Sequence, residues 1–275
     1  MDSTDRKTEL LEIMKNKVME VRSSEEWKAM LDMQSRFWTY SFYNQMLIVS
    51  QRPQACQVAS LKAWNKLERS VTAGEKAIYV LGPSFISRKK AEQLAAKQGS
   101  QPEAFEGRIQ GFHLCPVFDV GQTHGKELPT VAHPLQGEAP EGLFEKVSDF
   151  ASSNGYNISF RSNMGAMKGM LDRDKGITLN AEVSGVQALK TLVHELAHGL
   201  LGHMADEEGR RDRHELEAES CAWIVCRALG VDTDSYSFGY LAVWLRDNDA
   251  EKALSEAGAR AATIAKDILS GLAIA

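Results

Sequence analysis

The run His194-Glu195-Leu196-Ala197-His198 is the feature that most constrains this chain, because it lies inside a stretch whose apolar residues already repeat as a helix. Val186, Leu189, Leu192, Val193, Leu196, Ala197 and Leu200 follow a 3.6-residue period, which predicts an amphipathic helix with one buried face. His194 and His198 then stand one turn apart on a shared face. One imidazole nitrogen from each can reach a single Zn²⁺ at about 2.0–2.1 Å, leaving room for a third protein ligand and a water. Glu195 lies beside that water as the natural general base.

A third ligand must come from another element, since only that can approach from the open side. The segment from Arg213 to Cys226 supplies one, with Leu216, Trp223, Val225, Ala218 and Ala222 predicting a buried helix that Gly230 ends. Glu215 and Glu219 share one face of it. Glu215 is assigned as the metal ligand and Glu219 as the partner that orients a histidine through its outward ring N–H. Glu217 points elsewhere on such a helix and is the less favoured ligand, and His203 and His214 are competitors for the position. A third histidine in the H-E-x-x-H-x-x-G-x-x-H register is excluded, because Leu201 and Met204 occupy the Gly and His positions. His203 reads as a cation at a helix end. His214, Tyr236 and Tyr240 are the candidates for stabilising an oxyanion.

Composition sets outer limits. The 275 residues suffice for one large or two ordinary domains, and 43% hydrophobic with 25% charged residues is a globular balance. The polar start Met1-Asp2-Ser3-Thr4-Asp5 precedes no apolar run of signal or membrane length, so no membrane partner and a cytoplasmic location are expected. Cys56, Cys115, Cys221 and Cys226 form no C-x-x-C pair, which argues against a disulfide framework. The net charge of −5 is unevenly spread: residues 51–100 carry nine Lys/Arg against three Asp/Glu, and residues 201–250 carry five against eleven. A basic first half suits a polyanion. The acidity is far too sparse for a protein that mimics DNA.

Along the chain, Leu10 to Val18 gives a helical stripe and Ser23 to Glu26 a capping-box spacing. A helix around Ser41 to Ser50 should end before Arg52-Pro53. Ala77 to Leu81 reads as a strand bounded by Gly82-Pro83, Ser87 to Gln98 as a charged helix, and Gly111 to Val120 as a strand. The Gly and Pro residues from Gly121 to Gly142 mark a linker. Beyond it come a helix from Leu143 to Ser153, a strand from Tyr156 to Phe160, and a hairpin joining Met170-Leu171 to Ile177-Thr178-Leu179. An exposed strand edge before the metal helix can take an extended peptide by strand addition. The tail from Ala250 to Ala275 is helical.

Residues Thr191 to His198 with Glu215-x-Glu217-Ala218 resemble the ImmA/IrrE-type zinc metallopeptidases. Tyr40-Ser41-Phe42-Tyr43-Asn44, Gln51-Arg52-Pro53, Trp64, Arg69-Ser70-Val71, Gly74-Glu75-Lys76 and Val117 to Thr123 resemble the single-stranded-DNA-binding domain of ArdC antirestriction proteins. Glu68-Arg69-Ser70 departs from that family's usual Gly-Arg before the valine. The resemblance implies an α+β chain: a mixed α/β ssDNA-binding domain over 1–125, a linker over 126–141, and a small zincin-like metallopeptidase domain over 142–275. Single strands are held by cations and by aromatic faces on which bases stack. Arg36, Tyr40, Asn44, Arg52, Lys62, Trp64, Lys66, Arg69 and Lys76 are the DNA-binding candidates; most of the aromatics must be core, with Tyr40 and Trp64 the better candidates for stacking. The expected function is a zinc endopeptidase coupled to single-stranded DNA binding, in antirestriction by mobile elements. The alternative is a non-catalytic protein that shields single strands and carries a structural zinc. Neither reading specifies an oligomeric state.

Overall fold

The structure is a computed structural model that describes residues 24–127, 141–183, 185–205, 211–231 and 250–272. The Leu10–Val18 stripe, Ser23, most of the expected linker and both Tyr236 and Tyr240 lie outside the described residues. The architecture is α+β, and two compact units divide it. One is Met46–Glu127; the other joins residues 24–45 to the described residues from 141 onward.

The first unit contains most of α2 (Phe42–Gln51), then β1 (Val58–Ala59), α3 (Leu61–Lys66), β2 (Arg69–Val71), β3 (Ile78–Phe85), α4 (Arg88–Gln98), β4 (Ile109–Asp119) and β5 (Thr123–Gly125). Strands β1, β4 and β3 form one antiparallel sheet in that order, and β2 pairs with β5. The expected strand at Ala77–Leu81 runs on through Gly82-Pro83 to Phe85. Proline is tolerated because β3 is an edge strand, where a missing N–H costs no ladder bond. Asp119 closes the base of this unit: its Oδ1 accepts from the backbone N–H groups of Cys56 (2.9 Å) and Gln57 (3.1 Å).

The second unit is layered. Strands β6 (Asn157–Arg161), β8 (Gly176–Asn180) and β7 (Gly169–Leu171) form a sheet in the order β6-β8-β7, parallel on one side and antiparallel on the other. The β7–β8 hairpin is the expected one, its turn held by Asp172 Oδ1, which accepts from Asp174 N and Gly176 N. Helices α5 (Leu143–Ser153) and α6 (Gly185–Leu200) follow the predicted spans, and α6 packs on β7 and β8. Helix α7 (Arg211–Ala228) packs against α6, and α1 (Ser24–Arg36) and α8 (Ala250–Gly271) pack against α7. Neighbours on so many sides explain why Leu216 to Cys226 is almost wholly buried rather than amphipathic. Cys221 and Cys226 lie in that core as free thiols, and burial raises the Cys221 pKa.

This partition differs from the expected boundaries at 125 and 142. Trp27 is fully buried and donates its indole N–H to Ser220 Oγ at 3.0 Å. The Asp32 carboxylate accepts from Trp223 Nε1 (2.8 Å) and Arg227 Nε (2.9 Å). Residues 24–45 are therefore part of the packing around α7. No described helix is long and apolar enough to cross a membrane.

Candidate metal centre

Helix α6 buries Leu189, Leu192, Val193 and Leu196 against its own unit, which turns His194, Glu195 and His198 toward the opposite side. Helix α7 brings Glu215 to meet them. His194 Nε2 and His198 Nε2 are 3.0 Å apart, and Glu215 Oε2 lies 3.5 Å from the first and 3.7 Å from the second. Donors held tetrahedrally at about 2.0–2.1 Å from one ion sit about 3.3 Å apart. The three spacings bracket that value. The 3.0 Å Nε2–Nε2 contact suits one N–H donating to the other nitrogen or two lone pairs converging on a cation, and with the Glu215 carboxylate beside them the donor set fits a divalent metal. Among the described residues this is the His/Cys/Asp/Glu group with metal-binding spacing.

Electrostatics agree with ligand character. The adjacent His194 and His198 imidazoles hold the Glu215 carboxyl far below the usual carboxylate range. Burial works against the charged form of His194, but its hydrogen bond to Glu215 and the charges of Glu195, Glu215 and Glu219 outweigh it and raise its pKa. Burial and the neighbouring His194 lower that of His198. Glu195 is raised, chiefly by burial, against the opposing His194 charge and a hydrogen bond from the Leu171 backbone. A carboxylate raised in this way is a better proton acceptor near neutrality.

His194 and Glu215 open onto a cleft of about 550 Å³ that is also lined by Lys168, Gln187, Lys190, Glu195 and Glu219. Strand β7 forms one wall and is an edge of its sheet. Gly169 permits this closeness: any Cβ there would collide with Thr191 Cγ2 on α6.

The two metal-facing histidines have different neighbours. Glu219 lines the cleft and acts on His194 through its charge. The outward nitrogen of His198, Nδ1, instead meets His203 Nδ1 at 2.9 Å. His203 is no exposed cation at a helix end: it is 6% exposed, and burial lowers its pKa. Its Nε2 lies 3.1 Å from Glu217 Oε2, and Glu217, fully buried, accepts from Arg213 Nε (2.7 Å) and Arg260 Nε (2.9 Å). His214 stacks on the His203 ring, centroids 4.2 Å apart and planes 10° from parallel, and is not among the residues lining the cleft. The legible trace of this arrangement was the Arg213–Glu217 spacing of one helical turn; Arg260 lies on α8.

The DNA-binding candidates separate. Trp64 is fully buried and donates its N–H to Phe118 O at 2.8 Å, so it is core and offers no face to a base. Arg52 lies between Glu75 and Asp119, and Arg69 bonds Thr123 and the Lys126 carbonyl, tying β2 to β5. Both hold the fold together. Lys62, Lys66 and Lys76 are exposed, with Lys62 and Lys66 one turn apart on α3. Arg36 is exposed and bonds Asp32 O, and Tyr40 and Asn44 are half-buried; all three belong to the second unit. Phe85 (55% exposed), Ile109 (56%) and Phe112 (49%) stand on adjacent strands β3 and β4 and are not among the sequence candidates.

The fold and site together define a two-unit α+β protein with a His/His/Glu donor triad beside an open cleft. Residues 4–118 match the family model of the N-terminal domain of anti-restriction factor ArdC. The chain is 21% identical to the Mn(II)-bound crystal structure of the antirestriction protein ArdC from plasmid R388, with a TM-score of 0.51 over 86% of this chain and 85% of that one. The metal-free form gives 19% identity and a TM-score of 0.48 over 84% of each chain. An uncharacterized protein of Bacillus anthracis is 28% identical over 88% of this chain and 47% of its own length. The chain thus spans about half the length of that curated relative.

Proposed function

We propose that this chain is an ArdC-like antirestriction protein that binds single-stranded DNA and hydrolyses peptide bonds at a divalent metal site. His194, His198 and Glu215 would hold the ion, and their two-imidazole, one-carboxylate set is that of a catalytic zinc site. When bound, the ion supplies a Lewis acid that makes a coordinated water nucleophilic at neutral pH. Glu195 takes the proton at its carboxylate and delivers it to the leaving nitrogen. The β7 edge aligns an extended peptide by strand addition along the cleft wall. Lys62, Lys66 and Lys76 meet phosphates, while Phe85 and Phe112 offer faces to bases.

One observation carries the reading: two of the three donors, His194 and Glu215, line a cleft of about 550 Å³ that Glu195 also lines. A purely structural zinc site is closed by a fourth protein ligand, so the open side favours catalysis over the non-catalytic, strand-shielding alternative. The R388 protein's manganese makes metal identity part of the test. Metal analysis of the purified chain should find about one zinc, lost in His194→Ala. Glu195→Gln should keep the metal and lose cleavage of an unfolded protein substrate by about 10²-fold or more. Metal retained in both variants with cleavage unchanged would eliminate the mechanism.

A further inference from the structure

We infer that His203 is a positioning residue that fixes the ring orientation and tautomer of His198, so that Nε2 of His198 presents a lone pair to the metal. The inference rests on the metal-binding reading above and deepens it.

The proton assignment follows from the distances. His198 has Nε2 on the side of His194 and Glu215, and Nδ1 at 2.9 Å from His203 Nδ1. A neutral imidazole carries one N–H. If Nε2 is to donate its lone pair to an ion, the proton of His198 sits on Nδ1 and His203 Nδ1 must accept it. The proton of a neutral His203 then sits on Nε2. That atom lies 3.1 Å from Glu217 Oε2, an acceptor. The reverse assignment would aim an N–H from His203 Nδ1 at His198, leave His203 Nε2 bare against a carboxylate, and place a proton where the ion belongs.

Glu217 is built to terminate this relay. It is fully buried, and its oxygens take hydrogen bonds from Arg213 on its own helix and from Arg260 on α8. Arg260 also donates Nη2–H to the Leu201 carbonyl at 2.9 Å, just past the end of α6, so one guanidinium holds both the carboxylate and the chain between the two histidines. The His214 ring stacked on His203 hinders rotation of the imidazole. Partners that orient a metal-bound histidine through its other nitrogen change metal affinity by about 10–100-fold when lost. Here a neutral histidine stands between the ligand and the carboxylate that more often contacts it directly.

The test is the zinc affinity of the full chain, measured by competition with a chromophoric chelator, for wild type, His203→Phe and His203→Asn. Phenylalanine fills the ring's space without accepting a proton and should weaken binding about 10–100-fold. Asparagine offers a carbonyl toward His198 and an amide N–H₂ toward Glu217, and should restore most of the loss. Nitrogen-15 spectra of the zinc-loaded wild type should show the His198 proton on Nδ1. That readout decides the matter even if the phenylalanine variant fails to fold. Folded His203→Phe with wild-type affinity, an asparagine variant as weak as phenylalanine, or a His198 proton on Nε2 would each overturn the inference while leaving the triad intact. A wild type that binds no zinc would instead remove the metal reading on which it stands.

Discussion

Replacing Trp27 with alanine should strongly destabilise the metal-site unit, although Trp27 lies 193 residues from its partner Ser220. The indole is fully buried, donates to Ser220 Oγ, and its Cη2 comes within 3.5 Å of where a Cβ on Gly258 of α8 would stand. It therefore fills space between α7 and α8. Truncating a buried Trp to Ala costs about 3–5 kcal/mol through lost burial and the cavity left behind. The missing hydrogen bond adds about 1 kcal/mol. Set against a domain stability of about 5–15 kcal/mol, the loss removes a large fraction of what holds this unit together. Amide hydrogen exchange read by mass spectrometry locates the effect. A loss of about 4 kcal/mol should speed exchange through unfolding in peptides covering Gly185–Leu200 and Arg211–Ala228 by about 10³-fold. Peptides covering Ile78–Phe85 and Ile109–Asp119 should keep their protection. Trp27→Phe, which keeps most of the volume, should cost only about 1 kcal/mol. Accelerated exchange in the β3–β4 hairpin with α7 unaffected would refute the assignment of residues 24–45 to the metal-site unit.

Two further outcomes follow from the packing and the charges. Gly199→Ala should destabilise the protein, against the gain of about 1 kcal/mol that helix propensity alone offers: a Cβ there would sit 2.5 Å from Tyr156 Oη and 2.6 Å from Cζ, and overpacking a ring that is only 4% exposed costs about 1–3 kcal/mol. A melting temperature above that of wild type would show that the ring yields freely. Replacing Lys62, Lys66 and Lys76 together with alanine should weaken single-stranded DNA binding and flatten its salt dependence by about 0.7 per lost phosphate contact, roughly two units in all. An unchanged slope, measured by fluorescence anisotropy across a salt series, would place the strand elsewhere.

The sequence determined the local elements well, because they depend on interactions within a few residues. Periodicity located α6 and α7, the residue before Pro53 limited α2, and the Asp172–Gly176 turn announced the β7–β8 hairpin. It also brought out His194, His198 and Glu215, because a turn of helix fixes the spacing of the first two and a shared face selects the third. What it could not supply were contacts across long stretches of chain. Trp64 was open to a core or a stacking role, since nothing local reveals that its N–H is taken by Phe118, 54 residues away. Glu217 looked idle on the wrong face of its helix, whereas Arg260, 43 residues on, and His203 make it the buried end of a relay. Residues 24–45 looked like part of the first domain because the family resemblance, carried in part by Tyr40 to Asn44, runs through them. Only tertiary structure could decide these points, since burial and hydrogen-bond partnership depend on which surfaces meet, and helical and strand periods say that a face is apolar without saying what covers it.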